Sequence, residues 1–251
     1  MRLDGQSVYL TGAAGGIGSL LARKLRAYGA HLTGIDRVDC GECDESIVAN
    51  LGSEQSLGAL SQILADRRVD ILCNLAGMQY FGPFERQDPS NIWTGYLVNL
   101  VAPATLMRAV LPQMHARGSG QIVNIGSVMG AVSYPHFATY SSSKCGLRGL
   151  SEALRRELGK SAIAITYIAP RAVRTDFNGA DVNRFLEVAR MRADDPTHVA
   201  RRIAKAIIGR RKEVTLGIAE HIFTRMNGLC PRLIDAGLRG TTVKAKALFS
   251  D

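Results

Sequence analysis

Ser7-Val8-Tyr9-Leu10-Thr11-Gly12-Ala13-Ala14-Gly15-Gly16-Ile17-Gly18 decides the fold. Five strand-like residues run into a glycine cluster. An apolar-periodic helix follows, with Leu20, Leu21 and Leu25 as its repeating positions and Gly29 at its close. Residues 31–36 read as a second strand, so the chain opens with one βαβ unit. Glycines in such a turn permit backbone angles and a close approach that a Cβ would block. The helix behind them presents unpaired N–H groups and a positive dipole end to a pyrophosphate. The spacing is T-G-x-x-x-G-x-G, not G-x-G-x-x-G, so the argument rests on the strand before and the helix after.

Asp36 ends the second strand. A carboxylate there accepts hydrogen bonds from ribose hydroxyls and repels a 2′-phosphate, which favours NAD. Arg37 follows directly and keeps NADP as the alternative.

Outward from this unit, strands and helices alternate. A short strand spans 45–51, and Ser53 caps a helix to about residue 67. The apolar run 69–75 is a buried strand, followed by Ala76-Gly77. Residues 78–89 form an irregular loop. Residues 91–117 read as one helix with Trp93, Leu97, Leu100, Val101, Leu106, Val110 and Met114 as apolar positions, Asn99 among them, and Pro103 and Pro112 bending it. Residues 121–127 form a strand with Ser127 at its carboxyl end. A helix to about residue 160 then carries Tyr140 and Lys144, four apart and so on one face. Residues 162–169 are a strand ended by Pro170. Residues 171–195 form a weakly helical lid, a helix spans 196–208, and residues 213–216 are the last strand. The pattern predicts a single α/β domain: a doubly wound parallel sheet of about seven strands over residues 1–217, with 218–251 as a C-terminal amphipathic extension. Gly12, Asp36, Asn74, Ser127 and Pro170 all fall at strand carboxyl ends, the ligand edge of such sheets.

The chain has 251 residues, 46% hydrophobic and 21% charged, enough to bury one large core. No spanning helix or signal peptide is expected, so the cytoplasm is the expected location. The five cysteines suggest no disulfide framework, and Cys40-Gly-Glu-Cys43 reads as a polar loop. No metal site is expected, since no second ligand pair sits at metal spacing. The net charge of +9 favours acidic partners. Without a basic arm or interleaved aromatics, nucleic acid is not among them.

Thr11-Gly12-x-x-x-Gly16-x-Gly18, Asn74-Leu75-Ala76-Gly77, Asn99, Ser127 and Tyr140-x-x-x-Lys144, in this order, resemble the short-chain dehydrogenase/reductase family over nearly the whole chain. The resemblance implies NAD-dependent interconversion of a secondary alcohol and a ketone, with Asn99, Ser127, Tyr140 and Lys144 as the catalytic set. It implies that Gly12, Gly16, Ile17 and Gly18 carry the pyrophosphate and Asp36 the adenine ribose. Asn74, Ala76 and Gly77 line the cofactor, with Pro170, Val173 and Thr175 on its nicotinamide side. Tyr140 and Lys144 also touch it, and Asn99 anchors a water beside Lys144. The family's Asp-Val pair that meets adenine is here Asn50-Leu51, and its Pro-Gly is Pro170-Arg171. That arginine either points to solvent or reaches a substrate anion. A tyrosine of ordinary pKa near 10 needs the lysine ammonium and a cationic nicotinamide to lower it.

The apolar, aromatic lid and the 128–137 loop favour a lipophilic alcohol or ketone as substrate. Homodimers or homotetramers are the family's assemblies. In the tail, Ile222, Met226, Leu229, Leu233 and Leu238 interleave with Arg225, Arg232, Arg239, Lys244 and Lys246. This tail packs over the lid, packs on a sister subunit, or lies on a membrane surface. Two other readings are a 3-oxoacyl-(acyl-carrier-protein) reductase, docking its carrier on Arg201, Arg202, Lys205 and residues 210–212, and a cofactor-binding regulator without turnover.

Overall fold

The computed structural model describes residues 2–249. Its sheet has seven parallel strands: β1 (Ser7–Thr11), β2 (His31–Asp36), β3 (Glu45–Val48), β4 (Ile71–Asn74), β5 (Gly120–Ile125), β6 (Ile163–Ala169) and β7 (Glu213–Thr215). Their spatial order is β3-β2-β1-β4-β5-β6-β7. The order reverses between β1 and β4, and there the carboxyl ends open a crevice. Thr11 Oγ1 closes the floor of that crevice by accepting from the N–H groups of Leu75 and Ala76, both at 3.1 Å.

Helices cover both faces. On one side lie α1 (Gly16–Ala27) and α7 (Pro196–Ile208), burying Leu21, Leu25, Val199, Ile203 and Ile207. On the other lie α2 (Glu54–Asp66), α4 (Ala102–Arg117) and α5 (Ala138–Leu158), with Leu60, Leu64, Leu106, Val110 and Met114 in the core. Local chemistry sets the helix ends. Ser53 accepts from the Ser56 N–H, and Asp195 from the His198 N–H ahead of Pro196 at the first helical position. Residues 89–117 are, among the described residues, the one helical stretch long and apolar enough by length and composition to span a bilayer. Here it flanks the sheet, with Leu106, Val110 and Met114 fully buried.

That stretch is not the single helix its periodicity predicts. It divides into α3 (Pro89–Tyr96), a π turn (Leu97–Val101) and α4. The extra residue of a π turn rotates the helix face by about 100°. Trp93 therefore leaves the core line and is 67% exposed, and Val101 is exposed as well. The strand expected over 45–51 stops at Val48, where its pairing with β2 ends at Asp36.

A third core joins the lid to the tail. The lid carries α6 (Ala180–Val188), and the tail folds as α8 (Ile218–Leu229) and α9 (Pro231–Ala247). Ala245 of α9 packs with Phe137, Tyr140, Val182, Phe185 and Leu186. The Phe81 ring meets Phe137, Phe185 and Phe249 at 4.7, 5.0 and 5.0 Å between centroids. Packing over the lid, one of the tail's expected fates, is thus observed for α9.

Candidate active site

The glycine turn sits at the crevice. Gly12 has φ +73°, a left-handed angle that favours glycine. A Cβ on it would come within 2.9 Å of the Ala76 backbone, so β1 and β4 approach this closely only with glycine there. A Cβ on Gly16 would meet Thr175 Cγ2 at 2.9 Å, and one on Gly18 would strike the Gly12 carbonyl oxygen. The N-terminus of α1 has no side-chain cap and no acid in its first turn, which leaves its N–H groups for an anion. Asp36 stands across the turn: Oδ2 accepts from the Ala14 N–H at 3.0 Å and Oδ1 from the Arg37 N–H at 2.7 Å.

At the end of β5 the structure brings Ser127, Tyr140, Lys144 and Asn99 together. Ser127 Oγ accepts from the Met129 N–H at 3.1 Å, which leaves its own proton free to be offered toward the neighbouring Tyr140 phenol. Burial pushes the Tyr140 phenol up to about 12, against the downward pull of the Ser127 hydroxyl. Burial also brings the Lys144 ammonium down to about 8. Lys144 Nζ donates to the Ile125 carbonyl at 3.0 Å and lies 5.9 Å from the centre of the Tyr140 ring. The lowered tyrosine expected from sequence is therefore not what the protein alone produces. The same desolvation that would strengthen the lysine's field also lowers the lysine's own pKa.

Asn99 lies in the π turn and its side chain is committed. Oδ1 accepts from the Met78 N–H at 2.9 Å, while Nδ2 donates to the Met78 carbonyl at 2.8 Å and to Ser143 Oγ at 3.0 Å. Gly77 fills the gap between Asn99 and Lys144; a Cβ there would sit 3.1 Å from Asn99 Oδ1 and 3.5 Å from Lys144 Nζ. Through these bonds Asn99 fixes the 77–78 segment beside the lysine.

Over these groups lies a cavity of about 480 Å³. Ile17, Gly77, Pro170, Val173 and Thr175 line it, as expected from sequence. Asn74 does not: its side chain is buried and donates to Asn124 Oδ1 at 2.8 Å inside the sheet. Asn50 is exposed and accepts from the Gly52 N–H of its own loop at 2.9 Å, and Leu51 is buried in the core. Met129, Val132, Tyr134, Phe177, Leu186 and Phe223 make the walls apolar. Gln79 bridges to the lid, donating to the Phe177 carbonyl at 2.9 Å and to Asn178 Oδ1 at 3.1 Å. Sequence reasoning missed Gln79 and also Tyr167, whose ring packs where Gly126 and Gly130 leave room beneath Ser127. Glycines flanking the serine were the available signal.

Residues 6–184 match the family model described as short chain dehydrogenase. The chain belongs to the short-chain dehydrogenase/reductase family. It is 31% identical over 227 residues to the ketoacyl reductase HetN of Nostoc sp., covering 84% of this chain and 78% of that protein. It is 31% identical over 213 residues to a 2,3-dihydroxy-2,3-dihydro-p-cumate dehydrogenase of Pseudomonas putida, covering 76% of this chain and 82% of that one. Among solved structures, a short-chain dehydrogenase from Sphingobium yanoikuyae in complex with NADPH superposes with a TM-score of 0.78 at 27% identity, over 92% of this chain and 95% of that chain. Members of the family bind NAD(P)(H) and act on alcohol and keto groups, which sets the reaction class of this chain.

The residues present fit a dinucleotide: the Gly12–Ala76 approach, the uncapped α1 and Asp36 make a cradle that larger residues would fill. At the family's Pro-Gly position after β6, the Arg171 side chain is held by two carboxylates. Nη2 meets Asp194 Oδ1 at 2.6 Å and Nη1 meets Glu220 Oε1 at 3.1 Å. These bonds, the Asp194 one foremost, raise its pKa. One cation shared by two carboxylates offers no net positive charge to a substrate anion. Instead it ties the end of β6, the end of the lid and α8 together at the cavity wall. Arg171→Gly restores the family residue but leaves Asp194 and Glu220 unpaired. We expect the melting temperature to fall by about 2–6 °C and KM to rise more than kcat changes. An unchanged melting curve would show that the clamp contributes nothing.

Proposed function

We propose that the protein is an NAD(H)-dependent reductase/dehydrogenase of a lipophilic ketone and its secondary alcohol, with Tyr140 as the proton-transferring group. The observation that carries this reading is the meeting of Ser127, Tyr140 and Lys144 in the lining of one apolar cavity. When bound, the nicotinamide cofactor supplies or accepts the electron pair of the redox step. Ser127 and Tyr140 hold the substrate oxygen, and the phenol gives that oxygen its proton in reduction and takes it back in oxidation. Lys144, with its charge, favours the phenolate left behind, and Asn99 positions the segment next to it. Because burial pushes the phenol up to about 12, the cofactor-free protein presents Tyr140 as a protonated phenol at neutral pH.

The neutralised Arg171 and the apolar walls support an uncharged, lipophilic substrate. The relative named as a ketoacyl reductase supports a second reading, reduction of a 3-oxoacyl group on a carrier protein. Part of the expected carrier face is already used: Arg210 donates to the Gly120 and Ala162 carbonyls at 2.9 and 2.6 Å. Asp36 supports NAD, with Arg37 exposed beside it. All five cysteines are free thiols, which suits the proposed cytoplasmic setting.

Two measurements check this reading. Against a panel of lipophilic ketones, kcat/KM for reduction should be level below pH 7 and fall with a single ionisation near pH 8, as Lys144 loses its proton. Tyr140→Phe should lose roughly 10²–10⁴-fold. A profile level to pH 9.5, or a Phe variant of near-normal rate, contradicts the assignment. In fluorescence titrations NADH should bind at least about tenfold more tightly than NADPH, and Asp36→Ala should erase the difference. Tighter NADPH binding by the unmodified protein would reverse the cofactor assignment.

A further inference from the structure

The helix α8 has two unlike faces. Glu220, Phe223 and Thr224 look into the cavity. On the opposite side, at 3.6 residues per turn, Ile218, Ile222, Arg225, Met226 and Leu229 fall within about 100° of arc. All five are exposed, Ile218 at 85% and Leu229 at 82%. Past the turn at Cys230, Arg232 and Leu233 are exposed too. A row of large aliphatic side chains left in water on a helix that also walls a ligand cavity is a feature that ordinary surface scatter does not produce.

The charge around this face has one sign. Residues 218–249 carry five Lys/Arg (225, 232, 239, 244, 246) against two acids, Glu220 and Asp235. Glu220 is already paired with Arg171. Beside Ile218 and Ile222 the surface continues into a groove whose lining includes His198, Arg202, Arg211 and His221. The carboxylates of that groove, Asp194 and Glu213, are bound to Arg171 and Arg148. An apolar stripe rimmed by arginine matches the boundary of a bilayer with negatively charged headgroups: the aliphatic side chains enter the acyl boundary while the guanidinium groups meet phosphate.

We propose that the outer face of α8 and the turn into α9 seat this protein on an anionic lipid surface. The inner face of the same helix then brings the cavity wall close to the bilayer. A second copy of the chain is the competing occupant; the surplus of positive charge around the face would oppose a self-complementary contact, since like charges meet across it.

The test is flotation of the full chain with phosphatidylcholine vesicles, with and without phosphatidylglycerol. It needs no turnover, so its result is independent of the proposed reaction. We expect binding to the anionic vesicles only, reduced at about 0.5 M salt. Ile222→Glu/Leu229→Glu should abolish it, and Arg225→Gln/Arg232→Gln should weaken it at least about tenfold. Neither pair lines the cavity, and melting curves of both variants check that they fold; the arginine pair keeps the test valid if the glutamates disturb α8. No flotation, or flotation that both variants retain, overturns the proposal. So does light scattering that shows a wild-type oligomer dissolved by Ile222→Glu/Leu229→Glu while vesicles are ignored.

Discussion

Burying a tyrosine and a lysine together at the end of β5 is the constraint to which the surrounding structure answers. A charged ammonium out of water is costly unless it is partnered, and its pKa falls in proportion. The Ile125 carbonyl supplies one partner. Gly77 leaves the room beside Nζ, and Asn99 holds Gly77 and Met78 there through both backbone groups of Met78. To place that amide, the helix must unwind by one residue into a π turn, with Ser143 from the next helix as its third partner. Tyr140 is buried by the lid, the tail and Phe137, so the elements that exclude water from the phenol are the same ones that shape the cavity.

The cradle at β1 and β4 works by removal of atoms. Gly12 lets the two strand ends approach, Thr11 fastens them, and the uncapped helix end faces the space left over. The lid works by addition. Arg171, where a small residue would do for cofactor binding, pulls Asp194 and Glu220 into one cluster and so couples the lid to α8. The C-terminal helices thereby belong to the site: α8 walls the cavity and α9 contributes to the core over Tyr140.

What could be read in the sequence was what depends on local spacing. Tyr140 and Lys144 share a face because they are four apart, and the glycine turn is recognisable between its strand and helix. The doubly wound parallel sheet and the shared carboxyl edge followed from the alternation of strands and helices. What could not be read depends on distant partners. Arg171 finds its carboxylates 23 and 49 residues away, a pairing that no local spacing announces. Asn74 turned to Asn124, 50 residues on, and away from the cleft. Trp93 looked like core because periodicity assumes an unbroken helix, and the π turn breaks it. Proximity of Tyr140 to a lysine can be seen in a sequence, while the burial that raises the phenol and lowers the ammonium in the protein without cofactor cannot.

The central claim is that the protein without cofactor holds Tyr140 as a neutral phenol. Ultraviolet difference titration of the wild type against Tyr140→Phe, following the tyrosinate band, tests it directly. The two should titrate alike up to pH 10, with no ionisation assignable to Tyr140. A tyrosinate signal present only in the wild type, with a midpoint near pH 7, would contradict it and make Tyr140 a base before any cofactor binds.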